Sequence, residues 1–123
     1  MKAKIGMFIG QYVTVTIDAE GAIKLLEALQ EKLDKGGEDV NDAIRMIRNF
    51  DVFYDFMKKK FKEYLTPKKD VSDLIKGNVL VDKIKLIKED DKKIVTIIFD
   101  RSVEKEPIVS TLKELGYEIE EES

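Results

Sequence analysis

The sequence predicts an α+β domain with a mostly antiparallel sheet of four or five strands in βαββαβ order, interrupted by a helical insert at about 38–77. Three observations lead there. β-prone runs with alternating apolar positions occur at residues 4–9, 12–17, 79–88 and 93–100. Stretches with helical spacing, at 19–34 and 107–115, accompany them. Between these halves, six of the ten aromatic residues fall from Phe50 to Tyr64, inside one long helical repeat. With 123 residues the chain can bury one core but not two, so 1–123 reads as a single domain.

In chain order, the first two runs flank Gly10-Gln11. Glycine at the first of two loop positions suits a type II′ hairpin, and one long strand with a glycine bulge is the other solution. Val13, Val15 and Ile17 alternate with Thr14 and Thr16, giving this strand one buried and one semi-polar face. Asp18 caps the next helix, in which Ala22, Leu26, Leu29 and Leu33 form a stripe widened by Ile23 and Leu25. Gly36-Gly37 ends it and turns the chain into the central helix.

Val40, Ala43, Ile47, Phe50, Tyr54, Met57, Phe61 and Tyr64 keep one apolar seam along a single helix over 39–65. Asp39 can cap its start, Asp42 lies in the first turn, and lysines crowd its end before Pro67. Such a helix is about 40 Å long at ~1.5 Å per residue, more than a small domain is wide. It must overhang, break or find a partner. One continuous helix forming an αα-hairpin with the first is the expectation, and its weakest stretch runs from Asn49 to Phe56. A short helix over 67–76 offers Val71, Leu74 and Ile75 as cover for the far end of the seam.

The runs at 79–88 and 93–100 form a hairpin around Glu89-Asp90-Asp91-Lys92. Apolar residues on both faces from Ile94 to Phe99 mark the second as a central strand. A helix over 107–115 points Ile108, Leu112 and Leu115 inward, Gly116 stops it, and an edge strand follows at 117–121, its last acids, Glu120 to Glu122, fraying. Without the insert this is the split-βαβ order of ferredoxin-like sheets. Residues 95–120, down to Leu115-Gly116-Tyr117 before the last strand, resemble the second half of heavy-metal-associated domains. The resemblance implies a fold only. Those domains hold metal with a paired-cysteine loop after the first strand, and Asp18-Ala19-Glu20-Gly21 carries no thiol.

Cysteine, histidine and tryptophan are absent, which removes disulfides, thiolate and imidazole chemistry and metal sites built on those ligands. Ser72, Ser102 and Ser110 therefore have no histidine to activate them, no glycine-rich phosphate loop follows a strand, and no cofactor is implied. Neither a signal peptide nor a membrane span is recognisable, so a cytoplasmic protein without membrane contact is expected. Abundant Lys, Glu and Ile fit a thermophile, and an AT-rich genome would give the same bias.

Three groups of residues stand out. Arg45, Arg48, Val52, Phe53, Phe56, Met57, Phe61 and Tyr64 combine arginine with aromatic and apolar side chains, a composition typical of interfaces. They suggest a non-enzymatic module, homodimeric through this helix, that binds a protein partner or a small ligand; the plainer alternative is that Val52 and Phe56 are simply covered by the sheet or by the short helix. Lys58, Lys59, Lys60, Lys62, Lys68 and Lys69 suggest a nucleic-acid or nucleotide-binding regulator instead, or only a solvated helix end. Nineteen lysines to three arginines and a net charge of −3 weigh against a dedicated base reader. Asp18 and Asp100 could meet at one sheet edge as parallel neighbours and hold magnesium, with Glu20, Arg101 and Ser102 nearby, although cap and turn roles account for both.

Overall fold

In chain order the elements are β1 (Lys2–Phe8), β2 (Tyr12–Asp18), α1 (Ala19–Leu33), α2 (Glu38–Arg48), α3 (Phe50–Lys59), α4 (Val71–Lys76), β3 (Val81–Glu89), β4 (Lys92–Phe99), α5 (Lys105–Glu114) and β5 (Glu118–Glu121). The computed structural model describes residues 1–122. One five-stranded sheet has the order β3-β4-β2-β1-β5, antiparallel throughout except for the parallel pair β1 and β5. The α+β class and the central position of β4 agree with the sequence. The ferredoxin-like order does not, because the last strand is not beside β2. A tight β1–β2 hairpin keeps β1 in register along β2, from Lys4 against Thr16 to Phe8 against Tyr12, and so occupies the place the last strand would take.

That hairpin turns through Ile9 and Gly10 rather than Gly10 and Gln11. Both have positive φ, 54° and 71°, and Gln11 N–H donates to the Phe8 carbonyl at 3.2 Å, the pattern of a type I′ turn. Glycine fits the second position, but a β-branched isoleucine in the left-handed region is strained. At the other end of β2, Asp18 caps α1 as expected, accepting from Gly21 N–H at 3.0 Å. Its second oxygen accepts the Tyr117 hydroxyl at 2.6 Å, joining α1 to the start of β5. Gly21 is obligatory here for space, since a Cβ on it would lie 2.1 Å from the Tyr117 hydroxyl oxygen.

One face of the sheet carries the core. Ala3 and Ile5 of β1, Val15 and Ile17 of β2, Ile84 and Leu86 of β3, and Val95, Ile97 and Phe99 of β4 pack under Leu25, Leu26 and Leu29 of α1, Ile47 of α2 and Ile108 and Leu112 of α5. The expected 40 Å helix is broken at Asn49 (φ −105°, ψ 44°) into α2 and α3, within the stretch of weak helix formers. The side-chain amide of Asn49 donates to the Arg45 carbonyl at 2.9 Å, beside the 3.1 Å bond that its own backbone N–H makes to the same acceptor at the end of α2. The break lets the seam follow the sheet, so Val40, Ala43, Ile47, Phe50 and Met57 are all buried in the one chain.

Two carboxylates fix α2. Asp39 does not cap its own helix; only 1% exposed, it accepts the backbone N–H groups of Leu80 and Val81, both at 2.8 Å, and of Gly37 at 2.9 Å. Buried Asp42 accepts Arg45 through Nε and a terminal nitrogen at 3.0 and 2.6 Å, and Lys68 N–H at 2.8 Å. Together they dock α2 on the start of β3 and on the segment before α4. Leu65 of that segment pairs with Ile84 along the outer edge of β3. By contrast α4, capped by Asp70 and stopped by Gly77, buries nothing: Val71, Leu74 and Ile75 are exposed and do not cover the seam. Nor do the final acids fray, since Glu120 and Glu121 lie in β5 and Glu122 N–H donates to the Ile5 carbonyl at 2.8 Å.

Asp39→Ala strands three backbone donors at about 1 kcal/mol or more each, so a loss of roughly 3 kcal/mol in urea unfolding is expected. Ile9→Asn, which builds the Asn-Gly pair that type I′ turns favour, should raise stability in the same assay by about 1 kcal/mol.

Candidate functional site

Beside the exposed apolar side of α4, two surfaces stand out after the core is accounted for, the outer side of α3 and the sheet face opposite the core. On α3, Val52 is 67% exposed, Phe56 41% and Phe61 96%. Phe61 follows the helix in the left-handed conformation (φ 54°), with its N–H donating to the Lys58 carbonyl and Lys62 N–H to the Met57 carbonyl. This is a Schellman closure with phenylalanine at the position where glycine is usual. The chain thus holds a bulky aromatic in an unfavourable conformation and fully in solvent.

The rest of the expected interface is divided. Met57 is buried, and Phe53 is half-buried beneath the Arg45 guanidinium, 5.1 Å from its ring centre. Both arginines are exposed, Arg45 while engaged by Asp42. Tyr64 lies elsewhere, over the opposite face of the sheet, so what remains is Arg48 at the end of α2, Val52 and Phe56 on α3, and Phe61 just beyond it. The lysine group is also split. Lys58, Lys59, Lys60 and Lys62 surround Phe61 in sequence, with Lys58 Nζ 5.4 Å from the Tyr54 ring centre, whereas Lys69 donates to the carbonyls of Pro67 and Asp82 at 3.3 and 3.0 Å. Beside the start of α3, hydrogen bonds from Lys88 and Lys93 hold the Asp51 carboxyl below its ordinary range.

Asp18 and Asp100 do not meet. The β3–β4 hairpin reverses the chain, so β4 runs antiparallel to β2 and Asp18 pairs with Ile94, six residues before Asp100. At ~3.3 Å per residue the two carboxylates are about 20 Å apart. Asp18 is a cap, and Asp100 accepts from the Ser102 N–H and hydroxyl. Among the described residues no group of three or more acidic, histidine or cysteine side chains is placed to hold a metal.

The sheet face away from the core is ordered in rows set by the strand register. Glu120, Lys4, Thr16, Thr96 and Lys85 follow one another across all five strands, and Gly6, Thr14, Ile98 and Lys83 form the next row. The hydroxyls of Thr16 and Thr96 are 2.9 Å apart. At one end an aromatic cluster closes the face: Phe8 meets Tyr12 at 6.2 Å and Tyr64 at 5.7 Å, both edge to face. Lys83 and Lys85 extend over Phe8 and Tyr64, 5.9 and 6.0 Å from the ring centres. The resulting hollow is about 350 Å³. Of this surface the sequence reading marked only the semi-polar Thr14 and Thr16; Lys4, Lys83, Lys85 and the partnership of Phe8 with Tyr64 depend on register. A larger hollow of about 700 Å³ along α5 is lined mostly by apolar atoms, Val109 and the stems of charged residues, of which Lys105 pairs with Glu121 and Glu114 with Lys32.

No family model, curated protein or solved structure matches the chain. No helix among the described residues is long and apolar enough to cross a membrane.

Burial, and then the nearby Glu63 carboxylate, raises the Tyr64 phenol above its ordinary value. Burial and the Asp18 carboxylate also push Tyr117 up. Both favour the neutral phenol in the folded state, so their contribution is complete below about pH 10 and is lost as pH rises through the raised values. In an alkaline absorbance titration, Tyr117→Phe should remove a late-ionising component, and its stability should fall less steeply above about pH 10 than that of the unaltered chain.

Proposed function

We propose that the protein is a non-enzymatic interaction module that forms a homodimer through the outer side of α3. The observation that carries this reading is Phe61, kept 96% exposed at a backbone position that costs stability for any residue but glycine. Such a residue is retained most simply for what it contacts. Val52, Asp55, Phe56 and Lys59 fall in one sector of the helix at 100° per residue. Two copies packed antiparallel about an axis near Phe56 bring the two Phe56 rings together, set Val52 against the other copy's Phe61, and place Asp55 opposite Lys59. Opposite charges and apolar groups both match in that arrangement. The absence of cysteine and histidine, and the structural hydrogen bonds that occupy Asp18, Asp39, Asp42 and Asp100, support a binding role over a catalytic one.

α3 has ten residues and is therefore about 15 Å long, so the contact is smaller than the ~800 Å² per partner of a standard interface. Dimerisation should accordingly be concentration-dependent. Sedimentation equilibrium over a wide protein range should show association that Asp55→Lys or Lys59→Asp weakens and that the two together restore. Phe61→Gly should abolish association while raising the urea midpoint of the monomer. A chain that stays monomeric at the highest concentration, or an association indifferent to position 61 and to the charge exchange, would overturn the reading.

A further inference from the structure

We infer that the open face of the sheet is a second binding site, one that takes single-stranded nucleic acid across β1, β2, β4 and β3. The face has the three parts such a ligand needs. Phe8, Tyr12 and Tyr64 supply rings at one end; each is half-buried, so the edge-to-face contacts among them leave ring surface open for a base. Thr16 and Thr96 provide a polar floor, because their mutual hydrogen bond uses one donor and leaves further donor and acceptor capacity for base edges. Lys83 and Lys85 hold their ammonium groups over the Phe8 and Tyr64 rings, each within 4 Å of one carboxylate, Asp82 at 3.9 Å and Glu63 at 3.8 Å, and a base that stacks on those rings displaces them toward its own phosphates.

Size and charge narrow the ligand further. Three strand spacings of ~4.8 Å give a path about 14 Å wide, enough for roughly two or three nucleotides. Glu120 and Glu122 border the β5 side and Glu63 lies 3.8 Å from Lys85, so phosphates are directed over β3 and β4 instead of off the acidic edge. A duplex keeps its bases stacked inside and cannot use the rings. Lysine in place of arginine, with stacking in place of bidentate base contacts, makes the site tolerant of sequence, so the scarcity of arginine opposes a base-specific reader and not this mode. The site is separate from the lysines around Phe61, which belong to α3.

Fluorescence anisotropy of the full chain with a labelled oligothymidine or oligouridine strand tests the assignment. Binding at low salt is expected, weakening about a hundredfold for a tenfold rise in salt if some three phosphates are neutralised. The same sequence as a duplex should bind at least tenfold more weakly. Lys83→Gln with Lys85→Gln, and separately Tyr12→Ala, should each lower affinity roughly tenfold, whereas Lys58→Gln with Lys60→Gln, the same loss of charge on α3's end, should leave it within about twofold. Amide shifts on titration should centre on Thr14, Thr16 and Thr96, which locates the strand without relying on a variant's folding. Absence of binding at low salt, equal affinity for duplex, or loss that follows Lys58 to Lys60 would overturn the assignment.

Discussion

The course of the chain between the two halves of the sheet depends on one buried carboxylate. Asp39 is in the first turn of α2, yet its oxygens serve backbone donors at the start of β3, some forty residues further along the chain. A carboxylate without those donors would not stay in a dry position, and the donors without it would be stranded where β3 leaves the loop. The pairing therefore fixes where α2 begins, and the sheet fixes where it can go. Asp42 adds the segment from Pro67 to Asp70 to the same anchorage through Lys68 N–H. Held at its start and too long for the sheet, the helix had to bend, and it bends at Asn49, where the backbone leaves helical geometry and the side-chain amide adds a second donor to the Arg45 carbonyl.

Much of the fold was legible because periodicity is a local signal. The seam from Val40 to Met57, the Asp18 cap, the Glu89–Lys92 turn and the central character of β4 each depend on neighbours a few residues away. Strand order does not. Whether β5 pairs with β1 or β2 is decided by how tightly residues 8–12 turn, and Ile9 in a glycine-like conformation is a solution that residue preferences disfavour. The roles of Asp39 and Asp42 were hidden for a related reason: an acid in the first turn of a helix already has an adequate local explanation, and a distant partner leaves no trace in spacing.

The same division applies to the surfaces. Val52, Phe56 and Phe61 stood out because they break the amphipathic pattern, and they are exposed. Met57, Phe53 and Arg45 shared their composition but were absorbed by the monomer once the helix bent. The sheet face is the converse case. Its lysines and rings lie in strands separated by up to eighty residues, and only the register aligns Lys4, Thr16, Thr96 and Lys85 into a row. The lysines that cluster along the chain, Lys58 to Lys69, are instead divided, with Lys69 held by the Pro67 and Asp82 carbonyls.

The parallel pairing of β1 with β5 also bears on synthesis. β1 finds β2 within the first eighteen residues, but its other edge is answered only by Glu118 to Glu121. A nascent chain emerging from the ribosome therefore carries an open strand edge until residues 118–121 follow, one able to template pairing with another chain. The late arrival of β5, brought in beside Gly21 by Tyr117, closes that edge. An acidic strand suits the task, since Glu118 and Glu120 face Lys2 and Lys4 across the pair and would repel a second copy of themselves.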